Sequence, residues 1–277
     1  MVNTPITSTD FSFVADLVRQ RSAIDLQPGK EYLVESRLVP LMRVHGENEL
    51  GGFVGRLRRG DQKLIDLVID ALTTNETLWF RDTAPFDVFS KQLLPDVART
   101  SSTKRLTIWS AACSSGQEGY SLAMLLLDWL PKNPGYEAKV IGTDISRRMI
   151  ERASAGKYSQ LEINRGLRVP YLVKYFDQVG RDWVLKKEVR DLASFKWGNL
   201  AQAPVGHPQC DVIFLRNVLI YFDPPTKKKV IENCRSVLRP GGYLVLGGAE
   251  TAPSLGPNWK RFDVDRAVVF QHLGGGS

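Results

Sequence analysis

Cysteine and histidine are scarce in this chain, three of each in 277 residues. Cys113, Cys210 and Cys234 are an odd number, far apart, with no Cys-x-x-Cys spacing and no Cys/His cluster, so neither a disulfide framework nor a zinc site is indicated, and no metal is expected. They read as reduced thiols in the cytoplasm. His45, His207 and His272 lie outside every motif described below, which argues against histidine acid–base chemistry. An apolar run of ~18 residues is missing, so no membrane insertion is expected. The polar opening Met1-Val-Asn-Thr-Pro-Ile-Thr-Ser-Thr-Asp10 has no signal-peptide pattern. Internal repeats are absent. Negative charge is in the minority: 30 Asp+Glu against 37 Lys+Arg leave +7, which suits an acidic partner without choosing among nucleic acid, a membrane face or a protein.

What is present is organised around Leu106–Met124. Leu106, Ile108 and Trp109 form a short apolar run of the kind a buried strand needs, Ser110 to Gly116 are small, and a helical pattern follows. Small residues let the backbone approach a ligand closely, and free N–H groups at a helix start favour its polar or anionic parts. Dinucleotide-binding folds place an acidic residue at the end of the second strand to hold ribose hydroxyls. Asp144, closing Lys139-Val-Ile-Gly-Thr-Asp144, is the candidate, and Ser146 can cap the next helix.

Hydrophobic content of 43% supports a sizeable core. From residue 10 to about 72 the pattern is helical, with Phe13, Leu17 and Val18 on one apolar face and Leu64, Leu67, Val68, Ala71 and Leu72 on another. Pro40 should kink or interrupt the pattern Tyr32–His45, since an interior proline costs ~3 kcal/mol. Arg37, Arg43, Arg56, Arg58 and Arg59 are either a solvated face or a dock for an acidic helix. The cluster Thr73-Thr-Asn-Glu-Thr-Leu-Trp-Phe-Arg-Asp82 marks a junction, where ligand sites tend to form; alternatively Trp79 and Phe80 pack a linker and Arg81 pairs with Asp82.

Beyond the junction strands and helices alternate: Leu106–Ser110, a helix to about Leu130, Val140–Thr143, a helix Arg147–Ala155, Asp211–Leu215, a helix Pro225–Leu238 capped by Asp223, and Tyr243–Leu246. That alternation predicts an α/β fold with a parallel, doubly wound sheet. Ala267–His272 is expected as an antiparallel edge strand. An insertion, 156–198, suggests a small antiparallel excursion from Trp183-Val-Leu and the alternating run Val189–Trp197 around a turn at Gly180-Arg-Asp182. The final Gly274-Gly-Gly-Ser277 reads as a flexible tail. The expected division is a helical domain with its junction over 1–82 and a second domain over 83–277, with 156–198 as its inserted β subdomain.

Five motifs together carry a resemblance: Thr73-Thr-Asn-Glu-Thr-x-x-Phe-Arg81, Trp109-Ser-Ala-Ala-Cys-Ser-Ser-Gly-Gln-Glu118, Gly142-Thr-Asp144, Asn199-Leu200 and Leu215-Arg-Asn-Val-Leu-Ile-Tyr-Phe-Asp223. In this order, over nearly the whole chain, they resemble the CheR-type chemoreceptor glutamate O-methyltransferases. The resemblance implies a Rossmann-like sheet binding S-adenosylmethionine, with S-adenosylhomocysteine as product. It implies methyl transfer to glutamate carboxylates on the cytoplasmic helical region of membrane chemoreceptors. By the same resemblance Asn75, Thr77 and Arg81 contact the cofactor from the junction. Glu118 and Asp144 hold its polar groups, and Asn199 with Leu200 and Arg216 with Asn217 line its adenine and methionine ends. Arg81 and Tyr221 stand nearest the chemistry. The chain departs from the family in having Gln117-Glu118-Gly119 where Glu-Glu-Pro is usual, and Pro40-Leu41 where basic residues are common.

A glutamate side chain with an ordinary pKa of ~4.3 is already ionised at neutral pH, so the reaction needs no general base. Alignment for in-line displacement is what such an enzyme supplies, worth ~7–11 kcal/mol. Trp79, Phe80, Tyr221 and Phe222 are candidates to exclude water, and Arg81 can clamp a carboxylate of cofactor or substrate. Two other readings stand beside this one: a non-catalytic cofactor-binding regulator or scaffold, and a nucleic-acid methyltransferase. Against the latter, Arg216-Asn-Val-Leu-Ile-Tyr221 lacks the Asn/Asp-Pro-Pro-Tyr/Phe motif, and no basic stripe is interleaved with aromatics, so no nucleic-acid partner is expected. A monomer is expected.

Overall fold

In the computed structural model residues 5–250, 255–264 and 266–274 are described. The opening Met1–Thr4 and the tail beyond Gly274, both read above, lie outside them. By contacts the chain forms two compact units: one reaches to Thr74 and takes in Tyr221–Thr226, and the other holds Asn75–Ile220 and the chain from Lys227 on.

The first unit has four helices, α1 (Ser8–Ser22), α2 (Glu31–Val44), α3 (Leu50–Arg58) and α4 (Gln62–Leu72). Thr7 caps α1 by accepting from the Asp10 N–H, and Asp61 caps α4 by accepting from that of Leu64. The buried stripe of α1 is Phe11, Val14 and Val18; of the expected face Val18 is fully buried, while Phe13 and Leu17, on the neighbouring stripe, are partly buried against the same core, and Phe13 lies under the Arg58 guanidinium at 4.3 Å. On α4 the stripe is Leu64, Ile65, Val68, Ile69 and Leu72, while Leu67 is 39% exposed. Pro40 does not interrupt α2. It sits between Leu38 and Met42, both fully buried, and burying two such side chains at ~1.5–3 kcal/mol each offsets one missing backbone bond. Of the five arginines read as a possible dock, three have partners within this unit. Arg37 donates to the Ala71 and Thr73 carbonyls at the end of α4, Arg56 pairs with Asp61, and Arg58 pairs with Asp10.

The second unit opens with α5 (Ala84–Val88), a π-helical turn (Phe89–Leu93) and α6 (Leu94–Thr100). The wide turn falls just before Pro95, which has no N–H to donate. Then follow β1 (Arg105–Ala111), α7 (Gln117–Trp129), β2 (Glu137–Asp144), α8 (Arg147–Ala155), β3 (Lys157–Ser159), α9 (Gln160–Ile163) and α10 (Val169–Tyr175). After them come β4 (Phe176–Val179), β5 (Asp182–Leu185), α11 (Lys187–Leu192), β6 (Ala193–Trp197), β7 (Cys210–Leu215) and α12 (Pro224–Val237), whose first three residues count with the first unit. The unit ends with β8 (Leu238–Leu246), β9 (Trp259–Val264) and β10 (Ala267–His272).

Seven strands form one sheet in the order β6-β2-β1-β7-β8-β10-β9. β6 through β8 are parallel, and β10 and β9 add on antiparallel. The Rossmann-like α/β expectation holds, with a separate antiparallel sheet β3-β5-β4. Two strand readings change. Ala267–His272 is antiparallel but interior, because Trp259–Val264 pairs outside it. Val189–Trp197 is not an arm of the small excursion: its first half is α11, and Ala193–Trp197 pairs with β2 as the parallel edge of the main sheet. Its alternation is that of an edge strand with one covered face, where Phe195 packs at 4.9 Å on Tyr120 of α7. Ile108, Val140 and Val212 meet in register at the sheet centre, fully buried.

Candidate active site

From β1 the chain steps outward to β2 and β6, then returns to β7 on the other side of β1. Such a reversal leaves a crevice beyond the carboxyl ends of β1 and β7, where open α/β sheets bind ligands. Hydrogen bonds tie Asn75 and Asp144 to the loop after β1, and Glu118 and Arg81 to Arg216 after β7.

Asp144 ends β2 with a buried carboxylate that accepts from the backbone N–H of Ser114, at 2.8 Å, and of Ser146, at 2.9 Å. It thereby fastens the loop after β1 to the start of α8, whose N-cap is Ser146 as expected. The Ser114 hydroxyl donates to the Asn75 carbonyl at 2.8 Å, bringing the junction onto the same loop. Gly116 turns the chain into α7 at φ +95°, and a Cβ there would stand 2.9 Å from that of Ala153.

Glu118, in the first turn of α7, accepts from the Ser110 hydroxyl and from Arg216 Nη1 at 2.8 and 2.9 Å. Burial pushes its carboxyl above the ordinary range, although Arg216 and Ser110 pull the other way. Arg216, its side chain 1% exposed, extends further: Nη2 donates to the Arg81 carbonyl and to Asp82, both at 2.8 Å. In place of the Arg81–Asp82 pair of the alternative reading, Asp82 pairs with Arg216. Arg81 Nη1 donates to the Glu76 carbonyl, and Glu76 pairs with Arg165.

Backbone strain concentrates in these segments. Of nine described non-glycine residues with φ above zero, six lie here: Phe80, Asp82 and Thr83 beside Arg81, Ala112 and Ser114 in the loop after β1, and Asn217 after β7. Phenylalanine and threonine in that region cost energy, and such positions persist where the surroundings hold them for a purpose.

Asn199 and Leu200 follow β6, with Asn199 Oδ1 accepting from the Ala201 N–H and the Leu200 carbonyl from Asn233. Both line a cavity of about 290 Å³ with Trp109, Thr143, Trp197 and His207. Thr77 is half-buried in the junction. Trp79 and Phe80 are not cleft walls. Trp79 packs edge-on against Tyr158 and Phe176, and Phe80 against Phe86 and Tyr171, since rings of that size gain most from full burial. Tyr221 belongs by contacts to the helical unit, where its carbonyl accepts from the Asp25 N–H. Phe222 is buried.

Two participants escaped sequence reading. Asp82 was visible only as a neighbour of Arg81. Glu250, 5% exposed, accepts three backbone N–H groups of the turn after β7 and that of Gly247 after β8, and no motif marks it.

Comparison with known proteins gives two family matches: "CheR methyltransferase, all-alpha domain" over residues 9–73 and "CheR methyltransferase, SAM binding domain" over 75–267. Chemotaxis protein methyltransferase 1 of Pseudomonas aeruginosa is 37% identical over 95% of this chain and 98% of its own. A chemotaxis protein methyltransferase of Borreliella burgdorferi is 34% identical over 90% of each. Among solved structures, the N-methyltransferase NodS of Bradyrhizobium japonicum, in complex with S-adenosyl-L-homocysteine, superposes with TM-score 0.40 and 17% identity over 71% of this chain and 92% of that one.

Proposed function

This chain belongs to the CheR methyltransferase family and is an S-adenosylmethionine-dependent methyltransferase of chemotaxis, and on that footing we propose that it esterifies glutamate side chains of membrane chemoreceptors. The products are glutamate methyl esters and S-adenosylhomocysteine, the site of action is the cytoplasmic helical region of the receptor, and the enzyme works there as a soluble monomer. The observation that carries this reading is the convergence of Asp144, Glu118 and the strained turns at Phe80–Thr83, Ala112–Ser114 and Asn217 on the crevice side of one sheet.

The residues present fit the cofactor. A carboxylate at the end of β2 suits ribose hydroxyls, the loop after β1 is built of small residues, and Arg216 Nε is buried with no hydrogen-bond partner among the described residues. When bound, S-adenosylmethionine supplies a methyl group on a cationic sulfur, which a carboxylate accepts by in-line displacement. Asp144 would hold the ribose side. Glu118, hydrogen-bonded by Ser110 and Arg216, would face the cationic end in an orientation already fixed, so little reorganisation is needed there. Asn75, Thr77 and Arg81 act from the junction, Asn199 and Leu200 from the base side, and Asn217 from the turn after β7. Tyr221 orients the incoming carboxylate, whose ionised form dispenses with a proton acceptor.

Incubation with methyl-labelled cofactor and receptor-bearing membranes, followed by alkali, tests the reading. Release of labelled methanol is the expected result. Label that survives alkali points to N-methylation, absence of label to a non-catalytic binder, and either overturns the proposal.

A further inference from the structure

Glu250 sits beyond β8, outside every segment from which the cofactor site was read, yet its carboxylate accepts four backbone N–H groups. Oε2 accepts from the N–H groups of Asn217 and Gly247, and Oε1 from those of Val218 and Leu219, all at 2.8 Å. Among the described residues no lysine or arginine pairs with it. Three of the four donors are consecutive, so a single anion fixes the chain direction directly after Arg216 while Asn217 stands at φ +58°. The space is fitted to the carboxylate: a Cβ on Gly247 would lie 2.7 Å from Oε2 and 3.1 Å from Asn217 Nδ2.

We infer that Glu250 is a positioning residue for the cofactor end of the site, acting through the Arg216–Leu219 turn. The inference rests on the proposed cofactor site. Its physical content is that four N–H groups need an acceptor with two equivalent anionic oxygens. A glutamine offers one oxygen and turns an NH₂ group toward two donors, leaving those amides unpaired. The turn then samples other conformations, and the residues it carries are no longer preorganised for the ligand.

The test compares wild type, Glu250→Gln and Gly247→Ala. Binding of S-adenosylhomocysteine is measured by calorimetry, and amide hydrogen exchange is measured in the peptide spanning 217–219. Exchange there is expected to quicken at least tenfold in Glu250→Gln, the dissociation constant to rise at least tenfold, and KM for the cofactor to rise more than kcat falls. Gly247→Ala, which leaves the carboxylate intact but crowds it, is expected to shift both readouts in the same direction and serves if Glu250→Gln does not fold. Lower thermal stability with affinity within twofold of wild type in the folded variants would reduce Glu250 to a structural residue and overturn the inference. Wild-type protein that fails to bind the product at all would instead overturn the cofactor reading itself.

Discussion

The two ends of β1, β2 and β7 each hold a buried aspartate, yet they are built for different things. At the amino ends a cavity of about 650 Å³ is lined by residues such as Ser101, Arg105, Glu137, Lys139 and Arg239. Its aspartate, Asp211, accepts from the Thr107 N–H and is neutralised by Arg239, which also donates to the Val97 carbonyl and to Thr100. At the carboxyl ends Asp144 instead accepts N–H groups that shape a loop, and strained backbone gathers around it. The larger cavity is thus the bottom of a sheet closed by an ion pair. What marks the other end is stored strain together with charges held in place by hydrogen bonds.

The largest expected effect comes from Arg216→Met, which leaves Glu118 and Asp82 without their shared cation. A loss of about 3 kcal/mol of stability is expected, together with loss of product binding, as read by urea unfolding and calorimetry. Arg239→Met breaks the matching pair at the opposite end. It is expected to cost about 2–3 kcal/mol while leaving affinity for S-adenosylhomocysteine unchanged, so an affinity loss there would erase the distinction between the two ends. Arg81→Lys keeps the charge but not the planar fork. Its kcat/KM is expected to fall about tenfold or more, ~1.4 kcal/mol, with unfolding unchanged, and near-wild-type turnover would remove Arg81 from any positioning part.

These effects were unequally legible in the sequence. The strand-turn-helix around Leu106–Met124, the acidic end of β2 and the caps at Ser146 and Asp223 follow from local chemistry, and the structure bears them out. Arg216–Asp82 was hidden because its partners are 134 residues apart, and proximity in sequence favoured Arg81 instead. Strain was hidden too: Phe80, Thr83 and Ser114 are not residues whose identity announces a left-handed backbone. Trp79 resembled a cleft wall only because aromatic content says nothing about direction. Pro40 does not interrupt α2, as it could have, because its cost is local while its compensation, the buried Leu38 and Met42, is tertiary.

The smallest effects are protonic, with opposite signs. Asp61, at the start of α4, is held below its ordinary value by Arg56 and the Leu64 N–H. The stability it contributes is present above that ordinary value and is lost as pH falls through its lower folded one, so Asp61→Asn should flatten the acid limb. Glu118 is raised by burial, so the folded protein holds a proton that the unfolded chain has released. Stability therefore falls as pH rises from the ordinary carboxylate value through the raised one. Glu118→Gln should remove that decline, as seen in urea midpoints between roughly pH 3 and 7.

The most direct measurement is a crystal structure with S-adenosylhomocysteine. Its ribose hydroxyls are expected against Asp144, with the loop Ala112–Gly116 closing on the ligand and the cavity beside Arg105 and Lys139 at the amino ends of the strands left without it. Density for the product at the amino ends, or a ligand at the carboxyl ends that makes no contact with Asp144, would contradict the assignment.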